Sequence, residues 1–227
     1  FLVYGISIPI LLLYLLFVPY GSKTVDAEEK HRNDQMTASQ WRTALGLAVV
    51  AASIVLSNVM ITVRIPSVVE QVGHGTAQTA GLILAAMQFV GILAGLAFSP
   101  LTQLFRDRLL LVSGVAYGLT QMLIGLSANL WMLAIVTVLA GFAYSVALTT
   151  VFNVISDQMP AGVLSQATSI AILGCSAGSI ATTFVLSLLG TVSSAPAFIF
   201  GFSGILMILV SFFGLWIVRK GGKTSCA

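Results

Sequence analysis

The chain has 227 residues, of which 58% are hydrophobic and only 7% charged, with a formal net charge of +3 at pH 7. A soluble domain has about 25% charged residues, so a water-soluble globular protein is excluded. Intrinsic disorder is excluded because it requires low hydrophobicity and high net charge. With only Cys175 and Cys226, the chain is also not a disulfide-stapled secreted domain. It belongs in a lipid bilayer.

Seven long apolar segments follow one another along the chain, each of the length that crosses a bilayer as a helix, about 17 to 25 residues. They show no alternation of polar and apolar residues, which β-barrel strands would show. We therefore predict an all-α polytopic membrane protein with seven transmembrane helices. The predicted segments are residues 1–18, 43–65, 77–98, 109–127, 130–155, 163–189 and 196–218.

The positive charges predict the orientation of these segments. Every Lys and Arg except Arg64 lies in residues 19–42, 106–108 or 219–223, which all fall on one side of the membrane. Such residues gather on the cytoplasmic side, so we expect a cytoplasmic C-terminus and an external N-terminus. Arg64, at the outer end of the second segment, is either a snorkelling anchor or a substrate clamp.

The first residue, Phe1, already stands inside an apolar run that has no basic flank. A signal peptide would show such a flank and a small-residue cleavage site. We interpret residue 1 as the result of a cut inside a helix or at its outer edge. The chain is then expected to be the C-terminal part of a longer protein.

Two pairs of glycines four residues apart occupy matching positions in the third and sixth segments. Gly91 and Gly95 form the first pair, and Gly174 and Gly178 form the second. Small residues at this spacing let helix backbones approach closely in lipid. The recurrence suggests an internal repeat, and each pair either packs against a neighbouring helix or forms a moving interface.

The order of one helix, a cytoplasmic linker and six further helices resembles the sixth to twelfth helices of a major facilitator superfamily transporter. The stretch IPSVVEQVGHGTAQTAGLILAAMQFVGILAGLAF, followed by SPLTQLFRDR, looks like helices seven and eight of the twelve-helix drug:proton antiporters. The stretch NVISDQMP looks like the junction between helices ten and eleven. The resemblance implies a truncated last helix of an N-terminal half (1–18), a linker (19–42), a C-terminal six-helix bundle (43–218) and a cytoplasmic tail (219–227).

The cytoplasmic loop pattern of this family is degenerate here. Ser99 and Gln103 stand where the family has Gly and Asp. The remaining charges fix the topology, and we expect them also to form ion pairs that break as the transporter changes state. These charged residues are Arg106, Asp107 and Arg108.

No carboxylate lies inside the seven predicted segments, where ionisable residues mark ion pathways. The resemblance to proton antiporters therefore places the coupling carboxylate in the missing N-terminal half or at a margin such as Glu70. Uncharged polar residues are the substrate-cavity candidates, and the alternative for each is an interhelical hydrogen bond. The candidates are Asn58, Thr62, Gln88, Tyr144, Ser145 and Thr149.

The fourth and seventh segments are more hydrophobic than the others, with Gln121 as the main polar exception. The resemblance matches them to family helices that face lipid. We expect the aromatic run of the seventh segment, residues 198–216, to contact lipid or to anchor the helix at the membrane interface, not to form a binding site. The last segment has no Lys for a retinal and no Asn-Pro pattern, which disfavours a seven-helix receptor. A non-transporting scaffold and a sugar or organic-anion carrier stay open as alternatives.

The sequence thus predicts a secondary active transporter that moves a small organic or drug-like solute by alternating access, with proton-coupled efflux. We expect no enzymatic activity, cofactor, metal or nucleic-acid partner. The expected partners are the small-molecule substrate, the bilayer, protons and the missing N-terminal half. The resemblance implies a bacterial inner (plasma) membrane.

Overall fold

The computed structural model describes residues 36–73, 75–105, 108–193 and 195–224. These residues form long helices and contain no strand. The first predicted segment and most of the linker lie outside the described residues. In chain order the helices are α1 (Ala38–Gly73), α2 (Ala77–Phe105), α3 (Leu109–Gly125), α4 (Leu130–Gln158), α5 (Ala161–Val192) and α6 (Pro196–Thr224).

Each of the last six predicted segments coincides with one helix, which confirms the all-helical membrane fold. All the described helices except α3 are long and apolar enough to cross a membrane by length and composition. Helix α3 has 17 residues, which gives it a length of about 25 Å at 1.5 Å per residue.

Short-range hydrogen bonds explain where several helices begin. Before α1, the Thr37 amide donates to the Gln40 side chain (2.8 Å), and the Gln40 amide donates to Thr37 Oγ1 (3.4 Å). This is a capping box, which satisfies free amides at a helix start. Asn129 caps α4 by accepting from the Met132 amide, and Pro196 occupies the first position of α6, where its missing N–H costs nothing.

Helix α1 extends beyond the predicted end of its segment at Ile65. It runs to Gly73 with Pro66 inside it. Pro66 and Glu70 interrupt the apolar run in the sequence, yet Ile65, Val68 and Val69 are buried. Packing against neighbouring helices thus holds the last two turns of α1, although Pro66 has no N–H to donate to the carbonyl group of Thr62.

The helix pairs show an internal symmetry. The most extensive contacts join α1 with α5, α3 with α6, and α2 with α4. Helices α1, α2 and α3 can be matched with α4, α5 and α6, respectively. Under this matching the α1/α5 pair corresponds to the α4/α2 pair, and the α3/α6 pair corresponds to itself. The α3/α4 and α1/α6 contacts correspond in the same way. The bundle therefore consists of two three-helix repeats, as the glycine pairs suggest.

Helices α2, α3, α5 and α6 all expose large apolar side chains. They include Leu119 of α3 and Phe202 of α6, and equally Phe89 of α2 and Phe184 of α5. Helices α2 and α5 are the least buried of the long helices, and α5 also exposes small polar residues such as Ser176.

The aromatic run of α6 does not lie entirely on the lipid side. Phe198, Phe202, Phe212 and Trp216 are exposed, whereas Phe200 is completely buried in the core. Phe200 is two residues from both Phe198 and Phe202, and such a separation turns a side chain by about 200° around a helix. The expectation of lipid contact is therefore wrong for Phe200.

Candidate functional site

The polar residues predicted to line a cavity lie near the middles of their helices. Counting 1.5 Å per residue from the helix bounds, each is within about 10 Å of the midpoint of its helix. Substrate sites in transporters of inverted-repeat architecture lie near the bilayer midplane. These residues are Asn58 and Thr62 on α1, Gln88 on α2, and Tyr144, Ser145 and Thr149 on α4.

Asn58 carries a side-chain acceptor that the surrounding helices do not satisfy. Its Oδ1 atom is buried and has no hydrogen-bond partner among the described residues. Thr62, one turn further along, is exposed, and its hydroxyl donates to the backbone oxygen of Asn58 (3.0 Å). Since Pro66 leaves the Thr62 carbonyl without its usual helical donor, this part of α1 presents unused acceptors.

Tyr144 connects α4 with α3. Its ring lies 6.0 Å from that of Tyr117, with an interplanar angle of 52°, which is a favourable tilted geometry for aromatic pairs. Tyr144 is half-buried, so one part of it packs in the core while another reaches the surface.

The other two candidates on α4 lie elsewhere around the helix. Ser145 sits at the contact with α2, since a Cβ atom on Gly91 would lie 2.7 Å from its Oγ. Thr149 is exposed and is five residues from Tyr144, about 140° further around the helix. Tyr144 and Thr149 therefore do not share one face.

None of the six polar candidates makes an interhelical hydrogen bond to another described residue. The Thr62 hydroxyl bonds within its own helix, and Gln88 is exposed on α2. The interhelical hydrogen bonds are made by other residues: Ser203 to Ser57 (3.1 Å), Thr182 to the Leu56 oxygen (3.3 Å) and Gln158 to the Val218 oxygen (3.2 Å).

The second glycine pair packs directly against α1. A Cβ atom on Gly174 would lie 2.5 Å from the carbonyl oxygen of Ala48. A Cβ atom on Gly178 would overlap the carbonyl oxygen of Ala52. The two helices run parallel here, and each presents a pair of small residues four positions apart. This close backbone approach is typical of helix association in lipid.

The two members of the first glycine pair have different surroundings. Gly91 faces Ser145 on α4, but a Cβ atom on Gly95 would meet no atom within 4 Å. Gly91 therefore belongs to the α2/α4 contact, while Gly95 lies on the open face of α2. Whether either pair moves during function stays a prediction.

The comparison with protein families identifies the family to which this helix bundle belongs. The family model of the Major Facilitator Superfamily matches residues 43–225, which cover all of α2–α6 and most of α1. The chain belongs to this superfamily. A comparison with curated proteins gives no match. Since the superfamily is one of membrane transporters, the protein is a multi-pass membrane transporter, and three-helix repeats are a known feature of this fold.

The charged loop that the superfamily resemblance singled out is described only in part. Arg106 and Asp107 lie outside the described residues. Arg108 is exposed and precedes the first residue of α3 without capping it through its side chain. Its gating role stays a prediction.

The structure also identifies buried polar residues that the sequence reasoning did not select. Gln121 and Tyr117, one turn apart on α3, are both fully buried. Neither side chain makes a hydrogen bond of good geometry with another described residue, although the Gln121 amide lies close to the Tyr117 hydroxyl. The Thr137 hydroxyl of α4 also has no partner among the described residues. Although the resemblance predicts that α3 faces lipid, Gln121 is buried in the interior. In the sequence, the four-residue spacing of Tyr117 and Gln121 is the one signal that these two side chains share a face of the helix.

Proposed function

We propose that this superfamily member moves a small, weakly polar organic or drug-like solute by alternating access, in proton-coupled efflux. The observation that carries the proposal is the buried, unpartnered Oδ1 of Asn58, about 4 Å from the middle of α1 by residue count. A buried acceptor without a partner costs about 1–3 kcal/mol. A substrate or a water molecule that donates to it would recover this free energy.

The low polarity of the surrounding surface supports a weakly polar substrate. Near the middles of α1, α2 and α4 the polar groups are amides and hydroxyls, and no charged side chain lies among them in the described ranges. A sugar needs many hydrogen-bonding partners for its hydroxyl groups, because each desolvated polar group that stays unpaired costs free energy. A lipophilic solute with one or two polar groups needs far fewer.

The proton-coupling part of the proposal requires a carboxylate. In the described ranges only Glu70, near the end of α1, and Asp157, near the end of α4, carry one. Asp157 accepts a hydrogen bond from Asn153 (3.1 Å), whereas Glu70 is exposed. The proposal therefore assigns coupling to Glu70 or to an N-terminal half with which this bundle pairs.

The exposed faces of α2 and α5 support pairing with such a half. These two helices are the least buried of the long helices, and α2 exposes Gln88 and the open Gly95. Alternating access needs a second helical body against which a bundle rocks around a central site. We propose that this second body covers the open faces of α2 and α5.

The experiment is a transport assay on Asn58→Ala in proteoliposomes that carry a pH gradient, with ethidium as the drug-like probe. Loss of one hydrogen bond of about 0.5–1.5 kcal/mol lowers the transport rate about two- to tenfold, with membrane expression unchanged. Ser53→Ala is the matched control, because Ser53 bonds only to the Val49 oxygen of its own helix. Equal rates for Asn58→Ala and the wild type would remove Asn58 from the substrate site. Gradient-independent transport would refute proton coupling.

A further inference from the structure

Two interhelical hydrogen bonds end on adjacent residues of α1, directly before Asn58. The Ser203 hydroxyl of α6 donates to the Ser57 hydroxyl (3.1 Å), and the Thr182 hydroxyl of α5 donates to the Leu56 backbone oxygen (3.3 Å). The side chains of Ser57, Thr182 and Ser203 are at most 1% exposed. Neither bond therefore competes with solvent, and two helices hold α1 one step before its candidate substrate residue.

Helix α5 contacts α1 in a regular register. Three residues of α5, spaced four positions apart, lie opposite three residues of α1 with the same spacing. The pairs are Gly174 with Ala48, Gly178 with Ala52, and Thr182 with Leu56. The two glycines bring the backbones together, so the Thr182 hydroxyl is shared between the Leu56 oxygen and the Gly178 oxygen of its own helix (3.0 Å).

Helix α6 holds α1 from another side. A Cβ atom on Gly214 of α6 would lie 3.4 Å from the Val50 side chain, and Val50 shares a side of α1 with Ser57, seven residues further along. By residue count, Ser57 lies about 140° around the helix from Ala52, and Asn58 lies about 100° from Ser57 and about 120° from Ala52. Asn58 therefore occupies a third side of α1, and the hold of α5 and α6 on the other two sides sets its direction.

This hold matters because α1 lacks a backbone bond one turn beyond Asn58. Pro66 cannot donate to the Thr62 carbonyl group, and helices bend most sharply at such positions. A rotation of α1 by about 20° moves a side-chain atom about 6 Å from the helix axis by about 2 Å. Hydrogen bonds tolerate a range of only about 0.5 Å in the distance between donor and acceptor, so a small rotation removes the Asn58 oxygen from the reach of a bound donor.

We infer that Ser203 and Thr182 are positioning residues for Asn58. They fix the rotation of α1, and thereby the place of the unpartnered Asn58 Oδ1, without contacting the substrate themselves. The inference rests on the proposed function, because it takes Asn58 as the residue that meets the substrate.

The test measures the dissociation constant of ethidium, whose amino groups are hydrogen-bond donors, on the purified protein in mild detergent by fluorescence anisotropy. We expect Asn58→Ala to weaken binding about two- to tenfold. The double variant Ser203→Ala/Thr182→Val weakens it at least about twofold, but no more than Asn58→Ala does. Added to Asn58→Ala, the same double substitution has no further effect. Thr182→Ser, which keeps the hydroxyl, binds like the wild type.

Ser211→Ala is the matched control, because Ser211 is a buried serine of α6 whose hydroxyl bonds to the Met207 oxygen of its own helix. We expect it to leave the dissociation constant unchanged, and a loss equal to that of the double variant would overturn the inference. A merely structural role of Ser203 and Thr182 would change the free energy of unfolding without changing the dissociation constant of the folded protein.

The outcomes separate this inference from the proposed function. If Asn58→Ala weakens binding and the double variant does not, the positioning role is refuted and the proposed site stands. A further loss when the double substitution is added to Asn58→Ala also refutes the role, since the effect would then bypass Asn58. If Asn58→Ala itself leaves binding unchanged, the proposed site falls and the inference falls with it. Should the double variant not fold, Ser203→Ala alone replaces it, with unchanged affinity as the refuting result.

Discussion

Replacing Gly174 with alanine tests the close approach of α1 and α5. A Cβ atom at this position would lie 2.5 Å from the Ala48 carbonyl oxygen, which is part of a helix backbone and does not rotate away. Ordinary contact begins near 3.4 Å, so the two helices have to separate locally by about 0.9 Å. A gap of 0.5–1 Å already removes a quarter to a half of the dispersion energy of each atom pair that it opens.

The expected magnitude follows from two opposing contributions. Overpacking of a well-packed contact costs about 1–3 kcal/mol, and alanine in place of glycine favours a helix by about 1 kcal/mol. We therefore expect Gly174→Ala to lower the free energy of unfolding by up to about 2 kcal/mol. The loss of packing along the α1/α5 contact is the physical cause.

The assay is reversible unfolding in mixed micelles of mild detergent and dodecyl sulfate, followed by circular dichroism. Gly201→Ala is the control, because Gly201 lies in α6 beside the exposed Phe202 and a Cβ atom there would meet nothing within 4 Å. We expect Gly201→Ala to leave stability unchanged or to raise it slightly. Equal effects of the two substitutions would refute the close approach of α5 to α1 at Gly174.

Two further predictions concern polar groups inside the bundle. The Thr182 hydroxyl is shared between the Leu56 oxygen of α1 (3.3 Å) and the Gly178 oxygen of its own helix (3.0 Å). Thr182→Val removes this hydroxyl and keeps the side-chain shape, so we expect a loss of about 0.6 kcal/mol in the same unfolding assay; a gain in stability would contradict the bond to Leu56. Gln121→Leu removes a buried amide that makes no hydrogen bond of good geometry with a described residue, although it lies close to the Tyr117 hydroxyl. We expect a higher free energy of unfolding, by about 1–3 kcal/mol. A clear loss of stability would mean that Gln121 is paired, with the Tyr117 hydroxyl or with an ordered water.

The sequence by itself determined the helices because the bilayer leaves few options. Backbone groups in hydrocarbon must be satisfied internally, so each apolar run of sufficient length becomes a helix, and each of the last six runs does. The boundaries were harder to predict. The capping box of Thr37 and Gln40 was readable in the sequence, whereas the extension of α1 past Pro66 depends on burial of Ile65, Val68 and Val69.

The tertiary structure determined which side of each helix faces the protein core and which side faces lipid. The core and the lipid are both apolar, so hydrophobicity does not distinguish a buried position from a lipid-facing one, and packing of small residues and hydrogen bonds selects the contacts. Phe200 and Phe202 have the same chemistry, yet one is buried and the other exposed. Asn58 and Arg64 were both visible as polar residues of one helix. Their six-residue separation already places them about 120° apart around α1. Only the packing of α5 beside α1 places Arg64 in a groove.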